Sequence, residues 1–198
     1  MEIIYKRYLP NQEIPVYDHV SRRKLVKYYT RDTMAAVVCM GLLFKDKKPA
    51  SDTPFYFSTS ETQMLDYYKD ACKVFDQNNI PFSSFHFIEK AVPAISPLSH
   101  FKSMRNMAHC FISIEYGLKG DNAALLGAAS GLLVSALLSD YKGEVIIGAG
   151  KLHADGTAEA GMAKITPQEA SLDPMLESNQ EAIMFFRKHG LNQQEICL

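Results

Sequence analysis

The apolar residues of the chain are densest between residues 123 and 149, where they predict a strand, a buried helix and a second strand. The first strand covers Ala123 to Leu126, the helix Leu132 to Leu138, and the second strand Glu144 to Ala149. Small residues at 127–131 separate the first strand from the helix. Strands that are apolar throughout are typical of a sheet covered on both faces. We therefore predict a βαβ unit at the centre of the fold.

Partial alternation and β-branched or aromatic residues predict further strands on either side of this unit. They cover Glu2 to Tyr8, Phe55 to Ser58 and Gly161 to Thr166, and Ser84 to Ile88 is a candidate for another short strand. Together with the βαβ unit, these segments predict an α/β fold.

Helical periodicity predicts helices in the segments between the strands. One runs from Ser21, its predicted N-cap, through Leu43, and another from Ser60 through Phe75. A third begins at Ser99 or Ser103 and ends at Tyr116 with Gly117 as its cap, and the last covers Ser178 to His189 before Gly190.

Length and composition predict one globular domain covering residues 1–198. The chain is 47% hydrophobic and 22% charged, with a net charge of −1, so charge gives no reason to expect nucleic acid or a membrane surface as partner. No basic start followed by an apolar run is present, and we expect a cytoplasmic protein. The four cysteines are far apart in sequence and are interpreted as buried, reduced thiols.

Several familiar chemical motifs are absent or incomplete. Gly148, Ala149 and Gly150 follow a strand but lack the third glycine and the helix start of a nucleotide site. The six histidines show neither i, i+4 pairing nor a carboxylate at metal-ligand spacing, so we predict no metal and no cofactor. Ser130 lacks the GxSxG spacing of a hydrolase elbow.

The small-residue turn at 127–131 is placed where a nucleophile would be effective. A strand that leads into the N-terminus of a buried helix aims free backbone N–H groups and the helix dipole at whatever the turn carries. This sequence, however, places alanines in the turn.

Three segments together resemble the β-ketoacyl synthases of the thiolase superfamily. Met104 to Ala108 reads MRNMA, Ser113 to Gly120 reads SIEYGLKG, and Gly127 to Gly131 reads GAASG. They are similar to the family's M-x-N-M-A helix, its S-I-x-x-G-x-x-G-P segment, with Asp121 at the usual proline, and its A-C-x-S-G nucleophile turn. The resemblance implies the N-terminal half of a thiolase-like fold, a single layered domain with a mixed sheet and a buried central helix.

Two weaker similarities lie outside these segments. Arg31 to Ala36, reading RDTMAA, is similar to part of an early long helix of the family. Asp155 and Gly156, followed by Glu159 and Gly161, resemble the family's D-G-F…G-E-G-A at altered spacing.

The departures from the family pattern imply a subunit without its own catalysis. Ala128 stands where the family has its acyl-accepting cysteine, and a methyl group cannot attack a thioester. A shift of the alignment to Gly127 or Ala129 restores no nucleophile. The family's catalytic histidines and lysine belong to the C-terminal half of its fold, which has no counterpart here. The resemblance therefore implies a chain-length-factor-like protein that forms a heterodimer or homodimer, with an active ketosynthase as partner and an acyl carrier protein served indirectly.

The resemblance also assigns roles to one helix. In the family, the position matching Met104 borders the acyl pocket of the neighbouring subunit, so Met104, Met107 and Phe111 are the implied residues of the acyl pocket and interface. The alternative is that these three side chains are ordinary core residues of a helix.

Two other functions remain open from sequence. One is a homodimeric module that binds acyl groups or a carrier protein. The other is a separate acyltransferase that uses the thiol of Cys110 or the hydroxyl of Ser130.

Overall fold

The computed structural model describes residues 1–45, 47–59, 64–126, 129–167 and 180–194. Its strands are β1 (Glu2–Tyr8), β2 (Phe55–Thr59), β3 (Asn122–Leu125), β4 (Val145–Leu152) and β5 (Ala158–Ile165). They form one five-stranded sheet in the order β1-β5-β4-β2-β3. β2 runs parallel to β3 and β4, whereas β5 is antiparallel to β1 and β4. The predicted α/β class with a mixed sheet is confirmed.

Helices cover both faces of this sheet. They are α1 (Arg31–Phe44), α2 (Met64–Asn78), α3 (Ser84–His86), α4 (Val92–Ala94), α5 (Pro97–Ser103), α6 (Met107–Tyr116), α7 (Ala129–Leu137) and α8 (Ala182–Gln194). A π turn, Phe87–Ala91, joins α3 to α4, and two 3₁₀ segments, Val16–Asp18 and Arg23–Tyr28, precede α1.

One face of the sheet is covered by α1 and α6. Phe57 and Met162 rise from β2 and β5 into a core that includes Ala35, Ala36 and Ile112 of the two helices. The small residues of α1 let this helix lie directly on the sheet beside α6, and most of α1 is buried as a result.

The other face is covered by α7 and α8, whose core includes Ile147 of β4 together with Leu133 and Phe186 of the helices. A separate small core joins α2 to the π turn through Phe75 and Ala91.

The predicted βαβ unit exists, but its strands are not neighbours. β3 and β4 are parallel, yet β2 lies between them and pairs with both. β4 is therefore the central strand, and β3 is at the edge of the sheet. The helix between them, α7, is buried on one side through Leu132, Leu133 and Ala136, while Val134 and Leu138 are exposed.

The first long helix begins ten residues later than predicted, at Arg31 instead of Ser21. Ser21 does not cap it, because its backbone N–H and hydroxyl both donate to Oε1 of Glu115, at 2.6 Å each. The carboxylate of Glu115 is buried and needs such donors. Its hydrogen bonds to Ser21 therefore hold the segment before α1 in place and keep that segment out of the helix.

Four other element predictions were wrong or too short. The candidate strand Ser84 to Ile88 is helical, and the hydroxyl of Ser83 accepts the backbone N–H of His86 at its start. β4 ends at Leu152, later than predicted, and β5 begins at Ala158, earlier than predicted. Both are longer because they pair with each other over their full length. Gly190 lies inside α8, where its lack of a side chain leaves room for Tyr5.

Candidate functional site

The ends of several elements meet around a small cavity at the C-terminal ends of β2 and β4. The last residues of β2 and β4, Thr59 and Leu152, lie beside the first turn of α1 and the segment that enters α6. Polar side chains come from Thr30, Asp32, Thr33 and Thr59, apolar ones from Tyr28, Phe101, Met104, Met107, Ala108, Phe111 and Leu152, and basic ones from Lys102 and Arg105. We call this space the Asp32 cavity.

The enclosed part of the cavity is small. Its accessible volume of about 20 Å³ is enough for one water-sized group. Met104, which is 53% exposed, and the partly exposed Phe101 are at its open side, whereas Asp32 is only 4% exposed and is at its inner side.

Asp32 is the buried acid of this cavity. Its Oδ1 has no hydrogen-bond partner among the described residues. Burial raises the pKa of the Asp32 carboxyl, and hydrogen bonds from the Thr30 hydroxyl and the Thr33 backbone oppose part of that effect. Gly150 of β4 packs close by, since a Cβ there would lie 3.5 Å from Oδ2 of Asp32 and 3.1 Å from the Phe57 ring. The glycine thus leaves space for the acid under the sheet.

The three residues predicted for an acyl pocket all line this one cavity. Met104 precedes α6, Met107 is its first residue, and Phe111 lies one turn further along. The Phe111 ring is buried and contacts the ring of Tyr29, with centroids 4.9 Å apart, and that of Tyr28 at 6.4 Å. Phe111 is therefore a core residue that closes the cavity, while Met104 presents its side chain to the surface.

The other sequence candidates lie elsewhere. Ala128, the predicted nucleophile position, and Gly127 lie outside the described residues. Ser130 is in the first turn of α7 and Cys110 is in α6, both partly buried. Within the described part of the chain, neither side chain is hydrogen-bonded to a histidine. Neither residue is thus seen paired with a base.

A second buried polar group lies at the opposite face of the sheet, under α8. Glu159 of β5 accepts hydrogen bonds from Tyr5 at 2.8 Å, from His153 at 2.9 Å and from Arg187 at 2.8 to 3.1 Å. Burial raises the pKa of Glu159, but the hydrogen bonds from Arg187 and Tyr5 outweigh it, and the net pKa is lowered. Burial, together with Glu159, raises the pKa of Tyr5 to about 12. This group fastens α8 to β1 and β5.

One unpaired edge of the sheet lies next to an exposed leucine. In the described part of the chain, β3 pairs with β2 on one side and with no strand on the other. Leu126, the residue directly after β3, exposes a large apolar side chain. We call this the β3 edge surface. An unpaired edge with exposed apolar neighbours is a typical place for another chain to bind.

Sequence reasoning did not single out Asp32 or Glu159. Asp32 stands near a helix start, where acids are common on exposed surfaces, and nothing in the local pattern shows that β4 and α6 bury it. Glu159 interrupts an otherwise small and apolar run, AEAGMA, and a charge inside such a run is the signal that could have marked a buried ion pair.

No protein-family model matches the chain, and the search of curated proteins finds no significant relative. Among the described residues, no helix has both the length and the apolar character needed to span a bilayer. Within the same ranges, the side chains of His, Cys, Asp and Glu form no group of three or more suited to hold a metal ion.

Proposed function

We propose that this chain is a non-catalytic, ketosynthase-like subunit that pairs with an active β-ketoacyl synthase. In this proposal it has a thiolase-like half fold, works in the cytoplasm, and serves fatty-acid-like, polyketide or polyene synthesis on an acyl carrier protein. The proposal rests first on the resemblance of the MRNMA, SIEYGLKG and GAASG segments. Ala128 at the nucleophile position supports the non-catalytic part of the proposal, because its side chain cannot accept an acyl group.

The observation that carries the pairing is the β3 edge surface. In ketosynthase dimers the strand before the nucleophile turn lies at or near the subunit contact. Here that strand is β3, whose outer edge is open among the described residues, and Leu126, directly after it, is 59% exposed. A partner strand that adds to β3 would satisfy its free N–H and C=O groups and cover this leucine.

The position of α6 supports a role in limiting the length of the acyl chain. Met104, Met107 and Phe111 line one cavity, and of these three Met104 has the exposed side chain that a neighbouring subunit could contact. Methionine side chains adapt to irregular apolar ligands, which suits a surface that meets a growing chain. In this proposal the bulk at Met104 limits how far the partner's product extends.

Co-expression with a candidate β-ketoacyl synthase from the same organism, followed by size-exclusion chromatography with light scattering, tests the pairing. We expect one heterodimer peak. Leu126→Asp should abolish it, because a buried unpaired charge costs several kcal/mol. Leu9→Asp is the matched control, as Leu9 is equally exposed but far along the chain from β3. Separate elution of the two unaltered proteins would refute the proposal.

The same β3 edge could also pair two copies of this chain, as a homodimeric module for acyl groups or carrier protein would require. A homodimer that excludes the synthase, together with an acyl ligand found by mass spectrometry, would favour that function. Covalent labelling by an acyl-thioester probe, lost in Cys110→Ala or Ser130→Ala, would instead identify an acyltransferase.

A further inference from the structure

The sheet has a second unpaired edge, along β1. In the described part of the chain β1 pairs with β5 alone, so the other side of its seven residues faces no strand. Two open grooves follow this side, one of about 510 Å³ lined by residues 5–8 and one of about 390 Å³ lined by residues 2–6. Consecutive residues of a strand point to opposite faces, so a space that all of them line lies along the edge itself. We call this space the β1 edge groove.

The β1 edge groove is suited to an extended chain. An unpaired edge offers free N–H and C=O groups, which another strand satisfies by adding to the sheet. Leu42 of α1 lines both parts of the groove and is 37% exposed, so an added strand would have an apolar side chain to pack against. The position of the groove and its backbone groups therefore indicate a β-strand as its occupant.

The charges on β1 indicate which strand this is. Glu2, Ile4 and Lys6 are alternate residues and point to the same face, the one that α1 covers. Glu2 binds Lys164 of β5 at 2.8 Å, whereas Lys6 takes part in no ion pair among the described residues. A lysine on an edge strand usually prevents other strands from pairing there. Here an acid lies four residues before the lysine, so a second copy of β1 could supply the missing carboxylate.

Two-fold symmetry limits how two copies of β1 can pair. In an antiparallel pair, residues directly opposite each other point to the same face, so two identical strands pair about one central residue. With Ile4 at the centre, Glu2 of each copy lies opposite Lys6 of the other copy, which gives two ion pairs. No other central residue of β1 brings Glu2 and Lys6 together.

The same register avoids an obstacle. Gln12, Pro15 and His19 line the part of the groove that lies along residues 5–8. When Ile4 is the centre, the second strand lies along residues 2–6 and needs little of this part. A register centred on Tyr5 would extend the pairing to Tyr8, where these side chains narrow the space.

We propose that two copies of this chain pair through antiparallel β1 strands centred on Ile4, with Glu2 of each copy bound to Lys6 of the other. The two five-stranded sheets then continue as one sheet across the contact. β3 lies at the opposite edge and stays free, so each copy can still bind a synthase there. The dimer itself forms from this chain alone and does not depend on the proposed function.

Sedimentation velocity of the purified chain at increasing concentration tests the pairing. The paired strands bury less surface than a standard interface, so we expect a monomer–dimer equilibrium with a Kd of about 10 μM. Glu2→Lys and Lys6→Glu each place like charges opposite each other at both contacts, and each should weaken the dimer at least about tenfold. Lys90→Glu makes the same charge change at an exposed position of the π turn, and this matched control should leave the Kd unchanged.

Mixing the two weakened variants tests the register. Glu2→Lys keeps Lys6, and Lys6→Glu keeps Glu2, so a mixed dimer has opposite charges at both contacts. Its Kd should return to within about threefold of the value for the unaltered chain. Such recovery also establishes that both variants are folded.

A chain that stays monomeric up to about 200 μM would overturn the proposal. So would a dimer that survives both charge reversals, or variants that are folded by circular dichroism and fail to recover when mixed. A dimer lost in Leu126→Asp and kept in Lys6→Glu would place the contact at β3 and overturn it as well. Failure of the proposed function is distinguishable, because Leu126→Asp should abolish co-elution with the synthase and leave the β1 pair intact.

Discussion

Replacing Arg187 by alanine tests how strongly the buried acid under α8 depends on its partner. Arg187 donates from Nη2 at 2.8 Å to each oxygen of Glu159 and from Nε at 3.1 Å, while Glu159 is 1% exposed. Removing one member of a buried pair costs about 3–5 kcal/mol, because the other charge stays buried. The Arg187 side chain is 33% exposed and water would partly replace it, so we expect about 3 kcal/mol in the free energy of unfolding.

Urea denaturation followed by circular dichroism measures this loss as a lower midpoint with an unchanged slope. Arg7→Ala is the matched control. Its Nε lies 3.9 Å from the same carboxylate, but its side chain is 57% exposed, so we expect a loss below about 1 kcal/mol.

The pH dependence distinguishes a lost ion pair from lost packing. In the unaltered chain the lowered pKa of Glu159 means that its contribution is present above the ordinary carboxyl value of 4.5 and is lost as pH falls through the lower folded value. Without Arg187, burial dominates and the pKa of Glu159 rises. The difference in free energy of unfolding between the unaltered chain and the variant should therefore shrink as pH falls from 7 toward 4. A deficit below about 1 kcal/mol, or one that stays constant over this range, would refute the reasoning.

Three further variants test side-chain packing in the fold. Burial lowers the pKa of His109, whose ring stacks on Phe55 at 5.1 Å and whose Nε2 is unpartnered among the described residues. His109→Phe should therefore leave the free energy of unfolding nearly unchanged at pH 7.5. Below pH 6.5 the unaltered chain should lose up to about 1.4 kcal/mol of this free energy per pH unit relative to the variant, as measured by urea titration. An equal loss in both proteins would contradict this. Gly161→Ala should cost about 1–3 kcal/mol by the same assay, because its methyl group would overlap the Phe186 side chain, whereas Gly131→Ala, with open space around it, should be stabilising by about 0.5–1 kcal/mol.

Local pattern was sufficient for most elements of the fold. β1 matches its predicted range, Glu2 to Tyr8, because alternation and β-branched residues act locally. The order of strands was a different matter. Nothing in the run from 123 to 149 shows that β2, more than sixty residues earlier, would lie between β3 and β4.

The candidate site was predictable only in part. The grouping of Met104, Met107 and Phe111 followed from the resemblance alone, and the structure places all three at one cavity. Asp32 was missed because its burial depends on β4 and α6, which are remote in sequence. The start of α1 was misplaced for a similar reason, since Glu115 holds Ser21 from the other half of the chain.

This last contact connects the segment Ser113 to Gly120 to the cavity. Glu115 belongs to SIEYGLKG, and by fixing Ser21 and the N–H of Arg22 at 3.3 Å it sets the path that leads into α1. Arg31 then donates to the backbone oxygens of Leu9, Gln12 and Gly156, so that α1 begins beside the ends of β1 and β4. Asp32 enters the cavity because the helix begins there. The segment Ser113 to Gly120 thus has a structural task in this chain, because the carboxylate of Glu115 fixes the path that leads into α1.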